Sequence, residues 1–304
     1  MNESGTIPGV GIHEMTMEEY LAHPAISRGV LLETLISPAR GKKAMDFPSE
    51  TTDPMRLGTA THMSVYEQEK IPLRYSIWKE TYKDEKTGKD KKQVRRGERW
   101  DAHLTSAKIG GKDPHLTESM YAHAMSMGKA VREHPIAGAL LKREPSRKEL
   151  VIIFEDPDTG LLIKVRIDQL IEDDFPTVAD LKTCQKVDDR AFSNSIIAYG
   201  YDIQAWEYPA AFRAVGDHET VNFVIAAVEK DLTIPNPNDG GKTLTHAVRV
   251  IEMDCWQAGG HMRARYALDI LAQCRENNEW PSYPLRVERL DPPDWYLKQW
   301  SGIR

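Results

Sequence analysis

Long apolar runs and a secretory leader are both missing from this 304-residue sequence. No stretch approaches the ~18 consecutive apolar residues that a helix needs to cross a membrane. The first residues, MNESGTIPGVGIHE, lack the basic and apolar segments of a signal peptide. We therefore expect a cytoplasmic protein that has no membrane as a partner.

Cysteine is scarce as well. Cys184, Cys255 and Cys274 are far apart and form no C-x-x-C pair, which argues against a zinc site or a disulfide framework. Three cysteines are also fewer than the four that an iron–sulfur cluster usually requires. We expect all three to be small buried side chains.

The composition is that of an ordinary globular protein, with 40% apolar and 28% charged residues. We expect one domain over residues 1–304, in which a helical part (1–147) precedes a core (148–280) and an irregular tail (281–304). The tail is expected to pack over the core or onto a neighbouring subunit. The net charge of −6 argues against a general DNA coat protein, yet it allows an enzyme with a local basic channel.

Three strand patterns follow one another between residues 149 and 184. LVIIF leads into the turn sequence DPDTG, and the strand after that turn carries Arg166 and Asp168. A third strand contains Asp180, Leu181 and Lys182. Because side chains alternate across a strand, the acid and the lysine of this third strand point to one face.

Carboxylates clustered in this way repel one another unless a positive charge neutralises them. A hard divalent cation does so, and it can polarise a phosphodiester and generate a hydroxide nucleophile. Asp168, Asp180 and Lys182 form the D…(D/E)-x-K pattern of PD-(D/E)XK nucleases, in which the lysine orients the attacking water. The short pattern is weakly specific, and a surface ion pair with turn acids is the alternative interpretation.

The order of several blocks resembles the RecE-type exonucleases of phages and prophages (exodeoxyribonuclease VIII). These blocks are HEMTMEEYLAHPAISRGVLLETLISPA, LGTATHMSVYE, FEDPDTGLLIKVRID, ADLKT and YDIQAWEY. The resemblance implies an α/β (α+β) fold with a restriction-endonuclease-like core, in which a central mixed sheet is flanked by helices and N-terminal helices cover the active face. It also implies one or two Mg²⁺ ions, with Mn²⁺ as a substitute, and 5′-to-3′ digestion of linear double-stranded DNA to leave 3′ tails for recombination.

The same resemblance implies a bacterial host cytoplasm, a homo-oligomeric ring around DNA ends and a single-strand annealing recombinase as partner. Two features depart from the family pattern. Ile167 replaces the proline that gives the pattern its first letter, and Pro209 lies inside the expected helix, where it should bend or end it. That helix is expected to run from about residue 188 to Tyr208.

The resemblance also assigns site residues. His62, four residues after Gly58 in a G-x-x-x-H helix, is a candidate metal ligand beside the backbone carbonyl of Leu181. Gln204 and Tyr208, four apart on one helix face, would steady the water or the DNA. Glu149 would assist the metal or the DNA, although a strand-edge glutamate is also unremarkable.

Ser27 and Arg28 begin a helix predicted over residues 28–36. Free backbone N–H groups and the helix dipole favour an anion at such an end, so both are candidates for a DNA phosphate, as is Arg166. The alternative is an ordinary N-cap beside a solvated arginine.

A segment at residues 79–99 carries nine basic and five acidic residues. We interpret it as a solvated loop, or as a DNA-tracking segment whose neighbours Trp78, Tyr82 and Trp100 stack on bases. Two alternatives to the exonuclease stay open at this point. One is a structure-specific or endonucleolytic repair nuclease with the same site, and the other is a non-catalytic DNA-binding or assembly protein.

Overall fold

The computed structural model describes residues 8–47, 50–84, 87–283 and 286–300. Its centre is a six-stranded sheet in the order β1-β4-β5-β6-β7-β8. All neighbours pair antiparallel except β6 and β7, which are parallel. The expected central mixed sheet flanked by helices is therefore confirmed. The strands are β1 Gly11–His13, β4 Ser146–Glu155, β5 Leu162–Ile171, β6 Thr177–Cys184, β7 Asn222–Pro235 and β8 Leu244–Glu252.

Helices cover both faces of this sheet. The described helices are α1 Met17–Ala22, α2 Arg28–Ile36, α3 Pro38–Asp46, α4 Asp53–Tyr66, α5 Ile71–Arg74, α6 Glu98–Ile109, α7 Glu118–Glu133, α8 Pro135–Leu140, α9 Asp189–Tyr199, α10 Tyr201–Ala214, α11 Gln257–Asn277 and α12 Asp294–Trp300. Apolar side chains of α2, α10 and α11 pack against one face of the sheet. Side chains of α4, α7 and α8 pack against the other face. No helix in the described ranges is both long and apolar enough to cross a membrane.

Two helices begin near the N-terminus. Thr16 and Glu19 form the capping box of α1, in which each side chain bonds the other's backbone N–H. Helix α2 has the predicted bounds, but the Ser27 side chain forms no capping hydrogen bond. Ser27 is thus the N-cap residue by position, without the side-chain hydrogen bond that an N-cap serine usually makes.

The expected helix over residues 188–208 is two helices, and the break lies at Gly200 instead of Pro209. Gly200 has φ of +66°, and a Cβ there would lie 3.0 Å from Leu32 of α2. Only glycine satisfies both conditions without strain. Pro209 is buried inside α10, which continues to Ala214, so tertiary packing overrides the missing hydrogen bond.

Three further expectations need correction. The segment at 79–99 contains a hairpin, β2 Thr81–Lys83 with β3 Asp90–Lys92. Trp78 and Trp100 are buried and pack edge to face with centroids 5.1 Å apart, so neither can stack on a base. Cys255 is exposed, whereas Cys184 and Cys274 are buried.

The described tail does not pack over the core. Val287 and Leu290 are fully exposed, and the aromatic side chains of Trp295 and Tyr296 are exposed as well. The tail also contains helix α12, whereas the sequence was interpreted as irregular. Its remaining residues, 301–304, lie outside the described ranges.

Candidate active site

Three acidic residues from neighbouring strands meet where the sheet opens. Lys148 of β4 pairs with Gln169 of β5, and Leu150 pairs with Ile167, so Glu149 lies opposite Asp168. The pairing of β5 with β6 stops at Gln169↔Ala179, and continuing that register places Asp168 opposite Asp180. Residues that oppose each other in an antiparallel pair present their side chains to the same face. The strands therefore separate at the point where both carboxylates project.

Asp168 is held by one ion-pair contact and one hydrogen bond. His62 of α4 places Nε2 3.0 Å from Asp168 Oδ2, and the backbone N–H of Leu181 donates to the same oxygen at 3.1 Å. Burial raises the pKa of Asp168, but the adjacent His62, with Lys182 and the Leu181 N–H, brings it down to about 2. Asp168 is therefore ionised at any ordinary pH.

Asp180 is almost fully buried and is contacted from two sides. Lys182, two residues along the same strand, forms an ion pair with Oδ2. Tyr208 of α10 donates its hydroxyl hydrogen to Oδ1 at 3.3 Å. Burial raises the pKa of Asp180, Lys182 lowers it, and the negative charge of Asp168 raises it further, so the pKa lies above its ordinary value.

Gln204 and Tyr208 lie behind Asp180. Gln204 Nε2 donates to the Tyr208 hydroxyl at 2.5 Å, and both side chains are buried. The two residues share one face of α10, as their spacing predicted. In this arrangement their contacts position Asp180; with Tyr208 only 1% exposed, a direct contact with DNA is not available to it.

The donor set fits a hard divalent cation. Asp168 and Asp180 supply carboxylate oxygens from opposing strands, which is the ligand chemistry that Mg²⁺ prefers. Asp180 Oδ2 is buried and lacks a hydrogen-bond partner, with only the ammonium group of Lys182 against it. No three His, Cys, Asp or Glu side chains converge as a complete ligand set in the described ranges. The two carboxylates would therefore need a backbone carbonyl or waters as further ligands, and the predicted ligands His62 and Leu181 both contact Asp168.

Arg28 approaches the site from α2. Its guanidinium carbon lies 5.7 Å from the ring centre of Tyr201, and Lys182 Nζ lies 5.1 Å from the same ring. Arg28 Nη1 is buried without a hydrogen-bond partner. The charge of Arg28 also lowers the pKa of Asp180 in opposition to burial. A cation with an unused buried donor thus faces the two carboxylates, whereas Ser27 contributes only its position at the start of α2.

Glu149 and Arg166 neutralise each other. Arg166 Nε donates to Glu149 Oε2 at 2.8 Å, and Nη2 contacts the same oxygen. Glu149 has φ of +56°, a left-handed conformation that costs a non-glycine residue roughly 1–3 kcal/mol. Glu149 Oε1 lies 3.8 Å from His62 Nδ1. The predicted role of Arg166 as a free phosphate ligand therefore competes with this ion pair.

Three site residues were not identified from the sequence. Tyr66 packs on His62 with ring centroids 4.6 Å apart, which its spacing of four residues on α4 could have indicated. Tyr201 lies beneath both Lys182 and Arg28, and no pattern in the sequence marks it. Glu207 is only 1% exposed, and its Oε1 lacks a hydrogen-bond partner in the described structure. Burial raises the pKa of Glu207 to about 8, although Arg28 lowers it.

The mixed sheet opens between two carboxylates, and a lysine lies two residues after the second carboxylate. This combination is typical of a PDDEXK-like domain. The comparison with known families agrees. Residues 36–290 match the DUF3799 family, described as a PDDEXK-like domain of unknown function, and the chain belongs to this family. No curated protein matches the sequence.

The chain also resembles proteins of known structure. A crystal structure from Eubacterium rectale, described as a "putative exonuclease", superposes with a TM-score of 0.56 at 14% identity. The alignment covers 96% of this chain and 100% of that one, and the likeness is one of fold. A second structure, described as SSO0001, gives a TM-score of 0.28 at 15% identity, with 57% of this chain and 69% of that chain covered.

Proposed function

We propose that the protein is a metal-dependent exodeoxyribonuclease that digests linear double-stranded DNA from 5′ ends and leaves 3′ single-stranded tails. The observation that carries the proposal is the convergence of Asp168, Asp180 and Lys182 where the pairing of β5 with β6 stops. Asp168 accepts a hydrogen bond from the Leu181 N–H, and Lys182 forms an ion pair with Asp180. The resemblance to RecE-type exonucleases supports the choice of substrate and direction. The described fold of the Eubacterium rectale protein is compatible with it.

Each residue has a role in this proposal. When bound by Asp168 and Asp180, Mg²⁺ or Mn²⁺ supplies Lewis-acid polarisation of the phosphodiester and lowers the pKa of a water. Lys182 orients the attacking water, and its positive charge stabilises the developing charge on phosphate. Tyr208 and Gln204 hold Asp180 through the hydrogen bonds described above, and His62 holds Asp168.

Arg28 is proposed to bind the terminal 5′-phosphate. It begins α2, where the backbone N–H groups of residues 28 and 29 add to its charge. Its buried Nη1 has no hydrogen-bond partner in the described structure, so a phosphate oxygen can take that donor. A homo-oligomeric ring and a single-strand annealing partner complete the proposal and are inferred from the RecE resemblance alone.

The test uses linear duplex DNA with 5′-phosphate ends and covalently closed circular duplex, each with Mg²⁺. The wild type should degrade only the linear DNA and release label from the 5′ end first. Asp180→Asn should reduce the rate by roughly a thousandfold or more, because it removes a metal ligand and a charge from the centre of the site. Asp189→Asn, a change at a carboxylate that is 92% exposed, is the matched control and should keep full activity.

The other outcomes identify the alternatives. Cleavage of the closed circle would favour an endonucleolytic repair nuclease with the same site. Binding of DNA without any cleavage in Mg²⁺ or Mn²⁺ would favour a non-catalytic DNA-binding protein. Equal digestion by the wild type and Asp180→Asn would place the chemistry elsewhere in the chain.

A further inference from the structure

A basic cavity lies beside the candidate site, on the face of the sheet opposite the helix layer that contains Arg28. Its volume is about 290 Å³. It is bounded by the end of α4, the end of α7, the segment after α8 and the start of β4. We call it the Tyr66 pocket, and its polar and apolar walls include Tyr66, Arg132, Leu141, Lys142, Glu144 and Lys148. None of these residues has a role in the proposed chemistry.

Tyr66 connects this pocket to the carboxylates. Its ring packs on His62, and His62 Nε2 lies 3.0 Å from Asp168. Burial, together with the charges of Asp168, Asp180 and Glu149, raises the pKa of Tyr66 well above its ordinary value. The phenol is therefore a protonated donor. Its hydroxyl is buried, and no hydrogen-bond partner for it occurs among the described residues.

The pocket carries a positive charge. Three cations line it, Arg132, Lys142 and Lys148, against one acid, Glu144. Arg132 is anchored by Nη1 on the carbonyl oxygen of Ser64. Lys142 and Lys148 are exposed, and neither forms an ion pair with any described residue. Lys148 Nζ lies 6.0 Å from the Tyr66 ring centre, so the lysine and the tyrosine border the same space.

Size and charge together indicate the ligand. A volume of about 290 Å³ equals that of roughly ten water molecules, which accommodates a phosphate with part of its sugar. One hydroxyl donor and two unpaired ammonium groups are suited to an anion with several acceptor oxygens. A nucleobase would need a flat exposed ring to stack on, and the Tyr66 ring is already covered by His62.

We infer that the Tyr66 pocket binds a backbone phosphate of the DNA substrate, with the Tyr66 hydroxyl donating to it and Lys142 and Lys148 neutralising it. This inference rests on the proposed function. Arg28 belongs to the layer of α2 and α10, whereas Tyr66 belongs to the layer of α4 and α7. The two phosphate contacts would thus lie on either side of the carboxylates and hold one strand across the opening between β5 and β6.

The test measures binding of linear duplex DNA with Ca²⁺, over a range of KCl concentrations. The double variant Lys142→Gln/Lys148→Gln should weaken binding about tenfold and reduce the slope of log Kd against log[KCl] by about one, the value for one lost phosphate contact. Tyr66→Phe, which keeps the ring on His62, should raise Kd about fivefold with an unchanged slope, because it removes a neutral donor only. Both variants should raise KM more than they lower kcat.

The matched control is Lys129→Gln/Lys242→Gln, which removes two exposed lysines that do not line the pocket. An equal Kd and slope for the two double variants would overturn the inference, since only general charge would then be at work. Thermal unfolding of all variants checks that each is folded. If the wild type neither binds nor digests linear duplex, the proposed function itself fails. If the wild type digests linear duplex but the pocket variants bind it with the wild-type Kd, the inference about the pocket alone is wrong.

Discussion

Glu207 is a buried carboxyl group whose ionisation the fold opposes, and this makes the stability of the protein depend on pH in a specific way. Burial raises its pKa to about 8, with Arg28 acting in the opposite direction, whereas its ordinary value is 4.5. Between these two values the folded state binds one proton more than the unfolded state. By linkage, this group's contribution is fully present below pH 4.5 and is lost as the pH rises to about 8.

The size of the effect follows from the same two values. A pKa difference of this size corresponds to about 5 kcal/mol when the pH is raised through the whole interval, with a maximum slope of about 1.4 kcal/mol per pH unit. Replacing Glu207 with glutamine removes the titration and keeps the shape. The free energy of unfolding of Glu207→Gln should therefore match the wild type near pH 5 and exceed it progressively toward pH 8.

The assay is urea unfolding followed by tryptophan fluorescence at four pH values from 5 to 8, without divalent cations. The difference in unfolding free energy between the variant and the wild type isolates Glu207, because every other titrating group contributes equally to both proteins. Glu276→Gln, at an exposed position of α11, serves as the control and should show a constant difference. A difference for Glu207→Gln that stays equally constant over this range would refute the reasoning.

Four more substitutions have defined outcomes. Gly260→Ala should destabilise the protein by about 3 kcal/mol or more, since its Cβ would lie 1.8 Å from the carbonyl oxygen of Asp202. Gly259→Ala has open space around the added Cβ and should stabilise α11 by about 0.5–1 kcal/mol. Urea unfolding of both variants measures the two effects. Arg28→Ala should reduce the preference for 5′-phosphate over 5′-hydroxyl ends about tenfold in competitive digestion, and an unchanged preference would move phosphate binding elsewhere. Tyr208→Phe should lower kcat roughly tenfold and cost about 1–3 kcal/mol of stability, because it removes the hydrogen bond donated to the carboxylate on β6 and leaves the buried Gln204 amide without its acceptor; an unaltered kcat would contradict a positioning role.

Much of the candidate site could be predicted because it depends on local patterns. The turn at residues 156–160 determines which strands are neighbours, and alternation then brings Asp180 and Lys182 to one face. The bounds of α2 were also predicted correctly, since serine precedes it and proline follows it closely. Such signals lie within a few residues of the element that they define.

The errors concern features that depend on distant contacts. Trp78 and Trp100 are buried because they pack on each other and on His103, which nothing near them in the sequence indicates. Pro209 was expected to end a helix, but the packing of α10 maintains it. In each case tertiary packing outweighs local propensity.

The short pairing of β5 with β6 has a mechanical consequence. These strands are paired only over Gln169–Ile171 with Thr177–Ala179, whereas β6 and β7 are paired along the whole of β6. This seam, which passes beside Asp168 and Asp180, is paired over fewer residues than the β4–β5, β6–β7 and β7–β8 seams. We therefore expect the β4–β5 hairpin to swing about it while the strands from β6 onward stay together. Backbone amides along this seam should exchange with deuterium sooner than those between β6 and β7, so admission of a bulky substrate need not disturb the rest of the core.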